Sequence, residues 1–169
     1  MTIPELVRQL IRGHLTCAPA DEAALAYGRS LGLPHDLLEF YALSNGAYLH
    51  NTDEYGGNIR VNDRWWKWTV FPVRELRDVA QMYQVESTCP LFPKLRQWIA
   101  IVDVEDSDCL AVDVAPERRG QIVDCFHETI TWEGYNSVIA NSFAELLSRL
   151  MATSHPYWLE ESFVKYGVH

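Results

Sequence analysis

The chain has 169 residues, 48% of them apolar and 22% charged, a balance that belongs to a folded globular protein and excludes disordered and collagen-like classes. Its 14 Lys+Arg against 23 Asp+Glu leave a net charge of −9, which argues against docking on nucleic acid or an anionic membrane because like charges repel. The length is expected to form one domain over residues 1–169.

The chain opens with Ile3, Leu6, Val7, Leu10 and Ile11 at the i, i+3, i+4, i+7, i+8 spacing of an amphipathic helix. Thr2 stands at the N-cap, with Pro4 and Glu5 in the first turn. A charged leader followed by a long apolar run is lacking, and so is any stretch near the ~20 apolar residues of a membrane span. Cys17, Cys89, Cys109 and Cys125 are few for this length and form no CxxC, so reduced thiols in the cytoplasm are expected. Residues 21–31 predict a second helix stopped by Gly32, and residues 34–44 a third stopped by Asn45-Gly46.

From residue 47 the pattern changes to aromatic segments separated by turn signals, among them Asn62-Asp63, which predicts a β-meander over 47–71. Helical period returns over 72–84, with Val73, Leu76, Ala80 and Tyr83 on one side. WIAIVDV and CLAVDV then flank EDSD, which predicts a hairpin with an acidic tip, and QIVDCFHE and TITWE supply a third and a fourth strand candidate. Ser142 to Glu145 spell a capping box, opening a helix with Phe143, Leu146, Leu147, Leu150 and Met151 on one face. His155-Pro156 breaks it, and residues 157–166 read as a last helix with Leu159, Phe163 and Tyr166 inward. The expected fold is α+β: N-terminal helices, a central, mostly antiparallel sheet with one inserted helix, then C-terminal helices.

Few side chains assemble into a known chemistry. Gly28-Arg29-Ser30-Leu31-Gly32 matches the GxSxG of a nucleophile elbow, but that device needs a strand before the serine and here a helix precedes it. His127-Glu128 lacks the second histidine of HExxH, since position 131 is Thr131. Cys125 and His127 are two apart on an expected strand and would share a face, so an enzyme using a Cys–His pair stays open as one alternative.

Asp103, Glu105, Asp106 and Asp108 cluster at the hairpin tip, but Asp108 and Val114 occupy the Gly and Glu positions of a calcium loop, which excludes an EF-hand. The cluster is expected to be a solvated turn or a surface for a basic partner. Trp65, Trp66, Trp68 and Phe71 are the densest aromatic segment. On a strand Trp66 and Trp68 face one way, Trp65 and Phe71 the other, and the set not packed in the core is a candidate interface. No cofactor or metal motif is present in the sequence, and the candidate partner-binding residues are Asp103, Glu105, Asp106, Asp108, Trp65 and Trp66.

Several segments, in order, resemble the SUKH superfamily in its Smi–Knr-like branch. Leu33-Pro34-His35-Asp36-Leu37-Leu38-Glu39-Phe40-Tyr41-Ala42-Leu43-Ser44-Asn45-Gly46 carries the resemblance most specifically. Phe71 to Leu76, Gly120 to Val123 with His127, and Ile139 to Leu147 extend it over about residues 20–151. The resemblance implies a non-enzymatic protein-binding module. Many bacterial members resemble immunity proteins that neutralise polymorphic toxins, often nucleases, by direct binding, and fungal relatives are regulators acting through protein contacts. A basic toxin domain is therefore the expected partner and a regulatory scaffold without a toxin the alternative. The C-terminal extension is left as a docking or homo-oligomer element.

Overall fold

The computed structural model describes residues 1–52, 59–104 and 108–169, so Glu105 and Asp106 of the acidic tip lie outside the described residues. Helix α1 spans Ile3–Gly13, and its stripe buries Ile3, Leu6, Val7 and Leu10 while Ile11 faces water. Glu5 accepts the Thr2 backbone N–H at 2.8 Å, satisfying one donor of the helix start. Helix α2, Glu22–Ser30, is capped by Asp21, which accepts the Ala24 N–H at 2.7 Å. Helix α3, His35–Leu43, follows Pro34, and Ser30 of the GxSxG string donates to the Tyr27 carbonyl within its helix end.

The Ser44-Asn45-Gly46 stop has a task for each residue. Buried Ser44 accepts the Cys17 N–H at 3.1 Å and donates to the Gly46 carbonyl at 2.7 Å. Asn45 accepts the Val73 N–H at 2.9 Å. Gly46 has φ +107°, and a Cβ there would stand 2.8 Å from the Val70 carbonyl oxygen, so only glycine fits.

Among the described residues, nine strands form one sheet: β1 (Leu15–Thr16), β2 (Ala47–Thr52), β3 (Ile59–Val61), β4 (Arg64–Val70), β5 (Trp98–Asp103), β6 (Cys109–Asp113), β7 (Ile122–Cys125), β8 (Ser137–Ala140) and β9 (Gly167–Val168). Their order is β1-β2-β4-β5-β6-β7-β8-β9, with β3 also on β4, and the pairings are antiparallel. Asn62 and Asp63 close the β3–β4 hairpin with φ of +51° and +59°, the mirror-image turn that matches strand twist. The fold is α+β, as the order of patterns predicts.

Two cores flank the sheet. On the first face, α1, α3 and helix α6 (Phe143–Ala152) cover Leu49, Trp68, Val70, Ile101, Leu110, Val112, Ile122 and Ile139. The start of α6 is doubly anchored: Ser142 accepts the Glu145 N–H at 3.1 Å, and Asp36 of α3 accepts the Ala144 N–H at 3.0 Å. On the second face, short helices α4 (Val79–Met82) and α5 (Phe92–Leu95) cover Trp98, Ala100, Cys109, Ala111, Val123 and Cys125. A register irregularity between Ala100 and Val102 puts Ile101, Val102 and Val104 all in the first core and turns Asp103 to the second face, opposite Cys109. Asp113 is fully buried, yet its carboxylate accepts from Trp98 Nε1 at 3.0 Å, Arg118 Nε at 2.7 Å and the Ala115 N–H at 2.8 Å. It is an acid completely paired.

Three expected elements differ. Residues 72–84 are not one helix: a 3-10 turn at Val73–Glu75 ends where Leu76 turns extended. The Arg77 carbonyl accepts the Ala100 N–H at 3.0 Å and Asp78 bridges to Ile99, so the edge of β5 draws this backbone out of helical form. Asp78 then caps α4. TITWE forms successive turns rather than a strand, and the fourth strand of the run is β8. Residues 157–166 hold only a 3-10 turn at Tyr157–Leu159, with Leu159 and Tyr166 exposed and Phe163 half-buried. Here the free edge of β8 prevails over helical period: Tyr166 N–H donates to the Val138 carbonyl at 3.0 Å and His169 N–H to Asn136 at 2.8 Å, carrying β9 into the sheet.

Candidate functional site

The candidate residues that the structure describes, Asp103, Asp108, Trp65 and Trp66, do not converge on one surface. Asp103 lies half-buried on the second face, and burial raises its carboxyl above the ordinary range. Trp65 is half-buried on the face opposite Trp66 and Trp68. Trp66 is buried, its Nε1 donating to the Val61 carbonyl at 3.3 Å. Asp108 is engaged rather than free: its Oδ1 accepts the His127 backbone N–H at 2.8 Å and meets His127 Nδ1 at 2.7 Å.

The Cys–His pair is not assembled. Cys125 is fully buried in the second core, where burial and then Cys109 push its thiol up, away from the reactive thiolate. The Tyr83 hydroxyl donates to the Cys125 carbonyl at 3.0 Å, and His127 turns to Asp108 instead. Among the described residues, no three His, Cys, Asp or Glu side chains are placed to share a metal ion. Nor, among those residues, is any helix long and apolar enough to cross a membrane.

A concave feature with apolar walls lies on the first face, beyond the end of the helical cover. A cleft of about 530 Å³ opens between the sheet and the C-terminal segment. Trp68 of β4, Val104, Asp108, Asp124 of β7, Phe126 and Ser137 of β8 line its sheet side. Tyr135 and Thr129 stand at one wall, and Pro156, Trp158, Leu159 and Lys165 form the other. Phe126, Tyr135 and Leu159 are 38%, 60% and 72% exposed, so the mouth is apolar and open to water.

The C-terminal wall is held by Arg149 of α6. Its guanidinium lies 4.9 Å from the Tyr157 ring centre and 5.5 Å from that of Phe163. It also donates to Glu145 at 2.7 Å and to the Tyr166 hydroxyl at 2.8 Å. The Tyr157 hydroxyl donates to the Ile139 carbonyl at 3.0 Å, which fixes the neighbouring Trp158 beside Trp68, 6.4 Å between ring centres.

Asp124 is the residue that sequence reading passed over. It alternates with buried Ile122 and sits opposite Leu110, so it occupies a position of the first core face. Burial, reinforced by the Asp108 charge, raises its carboxyl to about 7, while Lys165 and a hydrogen bond from Trp158 pull the other way. A charge at an inward position of an otherwise apolar strand was the available signal.

The profile of the SMI1/KNR4 family (SUKH-1) matches residues 21–149. The chain belongs to that family. It is also 28% identical, over 138 residues, to a protein of Bacillus subtilis strain 168 named immunity protein YokJ, a match covering 80% of this chain and 75% of the relative. The SUKH-1 stretch contains the residues whose roles are architectural, namely Asp36, Ser44, Asn45, Gly46 and Ser142. The C-terminal wall of the cleft, with Trp158, Leu159 and Lys165, lies beyond the matched residues.

Proposed function

We propose that this SUKH-1 protein is an immunity protein that acts in the cytoplasm, without chemistry of its own, by binding a toxin domain and blocking its active site. Likeness to the YokJ immunity protein within a shared family carries the reading. The −9 charge supports a basic partner, such as a nuclease domain whose own substrate is anionic, because opposite fields speed association. In this reading the whole of residues 1–169 acts as one domain. The β5–β6 end, with Asp103, Glu105, Asp106 and Asp108, steers the toxin, and the segment of Trp65 and Trp66 flanks it. The alternative of an enzyme using Cys125 and His127 gains no support, because Cys125 is buried in the second core and His127 is bonded to Asp108.

Co-expression with the product of the neighbouring gene, as the candidate toxin, is the test. Cells carrying both are expected to grow where the toxin alone kills, and the two purified proteins to form a complex that lacks toxin activity. Association should slow as salt is raised. Growth arrest in spite of co-expression, or no complex between the purified pair, overturns the reading.

A further inference from the structure

The first face holds two kinds of neighbour on one strand. Ile122 meets a dry helical core, whereas Asp124, two residues on, meets the cleft. Asp113, the fully buried acid of β6, is satisfied by three donors. Asp124 has a weaker arrangement among the described residues: the Trp158 side chain as donor and Lys165 as counter-charge. Lys165 is exposed and can swing into water, while Asp124 stays in the wall. The second carboxylate of the lining, Asp108, is shared with His127. Around these acids stand four aromatic rings, those of Trp68, Phe126, Tyr135 and Trp158.

Aromatic walls and a recessed carboxylate suit one chemistry: an alkyl stem ending in a cation. Ring faces attract ammonium and guanidinium groups, and apolar walls cover the methylenes that carry them. A neutral apolar ligand would leave Asp124 desolvated and unanswered, and an anion would be repelled by it. At about 530 Å³ the cleft admits a long side chain together with the turn that bears it. Phe126 and Tyr135 at the mouth are the residue types that anchor protein interfaces.

We infer that this cleft is a cation socket that receives a lysine or arginine side chain projecting from the toxin partner. The stem lies between Phe126, Tyr135 and Trp158, and the charged head displaces Lys165 to reach Asp124. This rests on the immunity reading for its occupant, not for its chemistry. An arriving cation reverses the effect of burial on Asp124, whose carboxyl otherwise sits at about 7 in the company of Asp108, Lys165 and the His127 bound to Asp108. The far wall lies outside the family-matched residues 21–149, so the socket joins residues of the matched scaffold to residues beyond it.

The test has two arms. In the first, the protein at pH 8 is titrated with hexylammonium and, separately, with hexan-1-ol, following backbone amide and tryptophan indole signals by NMR. Hexylammonium should give saturable shifts at Trp158 and Tyr135, about tenfold tighter than the alcohol, and Asp124→Asn should erase that difference. Equal response to amine and alcohol, or an unaltered preference in Asp124→Asn, overturns the socket. In the second arm, Asp124→Asn and Phe126→Ala, each shown to be folded by its amide spectrum, are measured against the toxin. Both should weaken the complex about tenfold or more. Hexylammonium preference with unchanged toxin affinity in both variants overturns the assignment of the occupant. Preference for hexylammonium in a protein that neutralises no toxin supports the socket and breaks the immunity reading instead.

Discussion

The two ends of β7 on the first face make an instructive pair. At Ile122 the strand lies beneath α1, α3 and α6, whose side chains interdigitate and exclude water. At Asp124 the cover is the irregular segment 156–166, anchored by Arg149 and by β9, and it leaves a cleft. The strands beneath are the same; the cover differs. A helix presents a continuous stripe that seals a sheet, whereas an extended segment touches it through a few large side chains and leaves space between them. The family match takes in α3 and most of α6 but not α1 at the sealed end, and it stops short of the C-terminal wall at the open end.

Substitutions should separate the two ends by size of effect. Phe143→Ala, at the sealed end with Phe40 5.0 Å away between ring centres, should cost about 3–5 kcal/mol in urea unfolding; a loss under about 1 kcal/mol would mean that end is not close-packed. Gly46→Ala, which drives a Cβ against the Val70 carbonyl oxygen, should cost about 1–3 kcal/mol by the same measurement. Ser142→Ala removes the cap of α6 and should cost about 1 kcal/mol.

Titration should tilt stability in opposite directions at two sites. His14 is partly buried near His50, and burial first, then the His50 charge, lowers its pKa to about 4. Its unfolded form binds a proton that the folded form does not, so stability falls as pH drops from about 6.5 toward about 4, and His14→Gln should flatten that limb. Asp124 has the reverse sign: its folded carboxyl keeps a proton up to about 7, so stability falls as pH rises from about 4 to about 7, and Asp124→Asn should flatten that limb. Thermal melts across this range read both, and variants that tilt the profile the same way would refute the assignment. Smallest of all, Phe126→Ala at the open mouth should change stability by less than about 1 kcal/mol while weakening the partner complex.

Legibility followed the same division. Helices α1, α3 and α6 were readable because local cap, period and stop agree with where the tertiary structure needs them. The hairpin β5–β6 was readable for the same reason. Residues 72–84 and 157–166 carry helical period, yet their backbones are taken by β5 and β8, partners distant in sequence that no local window contains. The candidate site was legible only in part. Asp108 was singled out for its acidic neighbours, whereas the structure places it against His127 and in the cleft. Asp124 carried a signal in the alternation Ile122, Asp124, but the wall that makes it a site comes from Trp158 and Lys165, more than thirty residues downstream.

The near-sequential strand order bears on how the chain acquires its shape. From β4 onward each strand pairs with the next one in sequence, and β5 to β8 are joined by short connections, so this part of the sheet can zip up as the polypeptide emerges. Helix α1 cannot finish so early, because its stripe of Ile3, Leu6, Val7 and Leu10 packs against α3 and also against α6. During synthesis, the first apolar surface made is among the last to be completed. Nascent chains that stop short of residue 143 should therefore be sticky and chaperone-bound, and release should come abruptly once α6 docks.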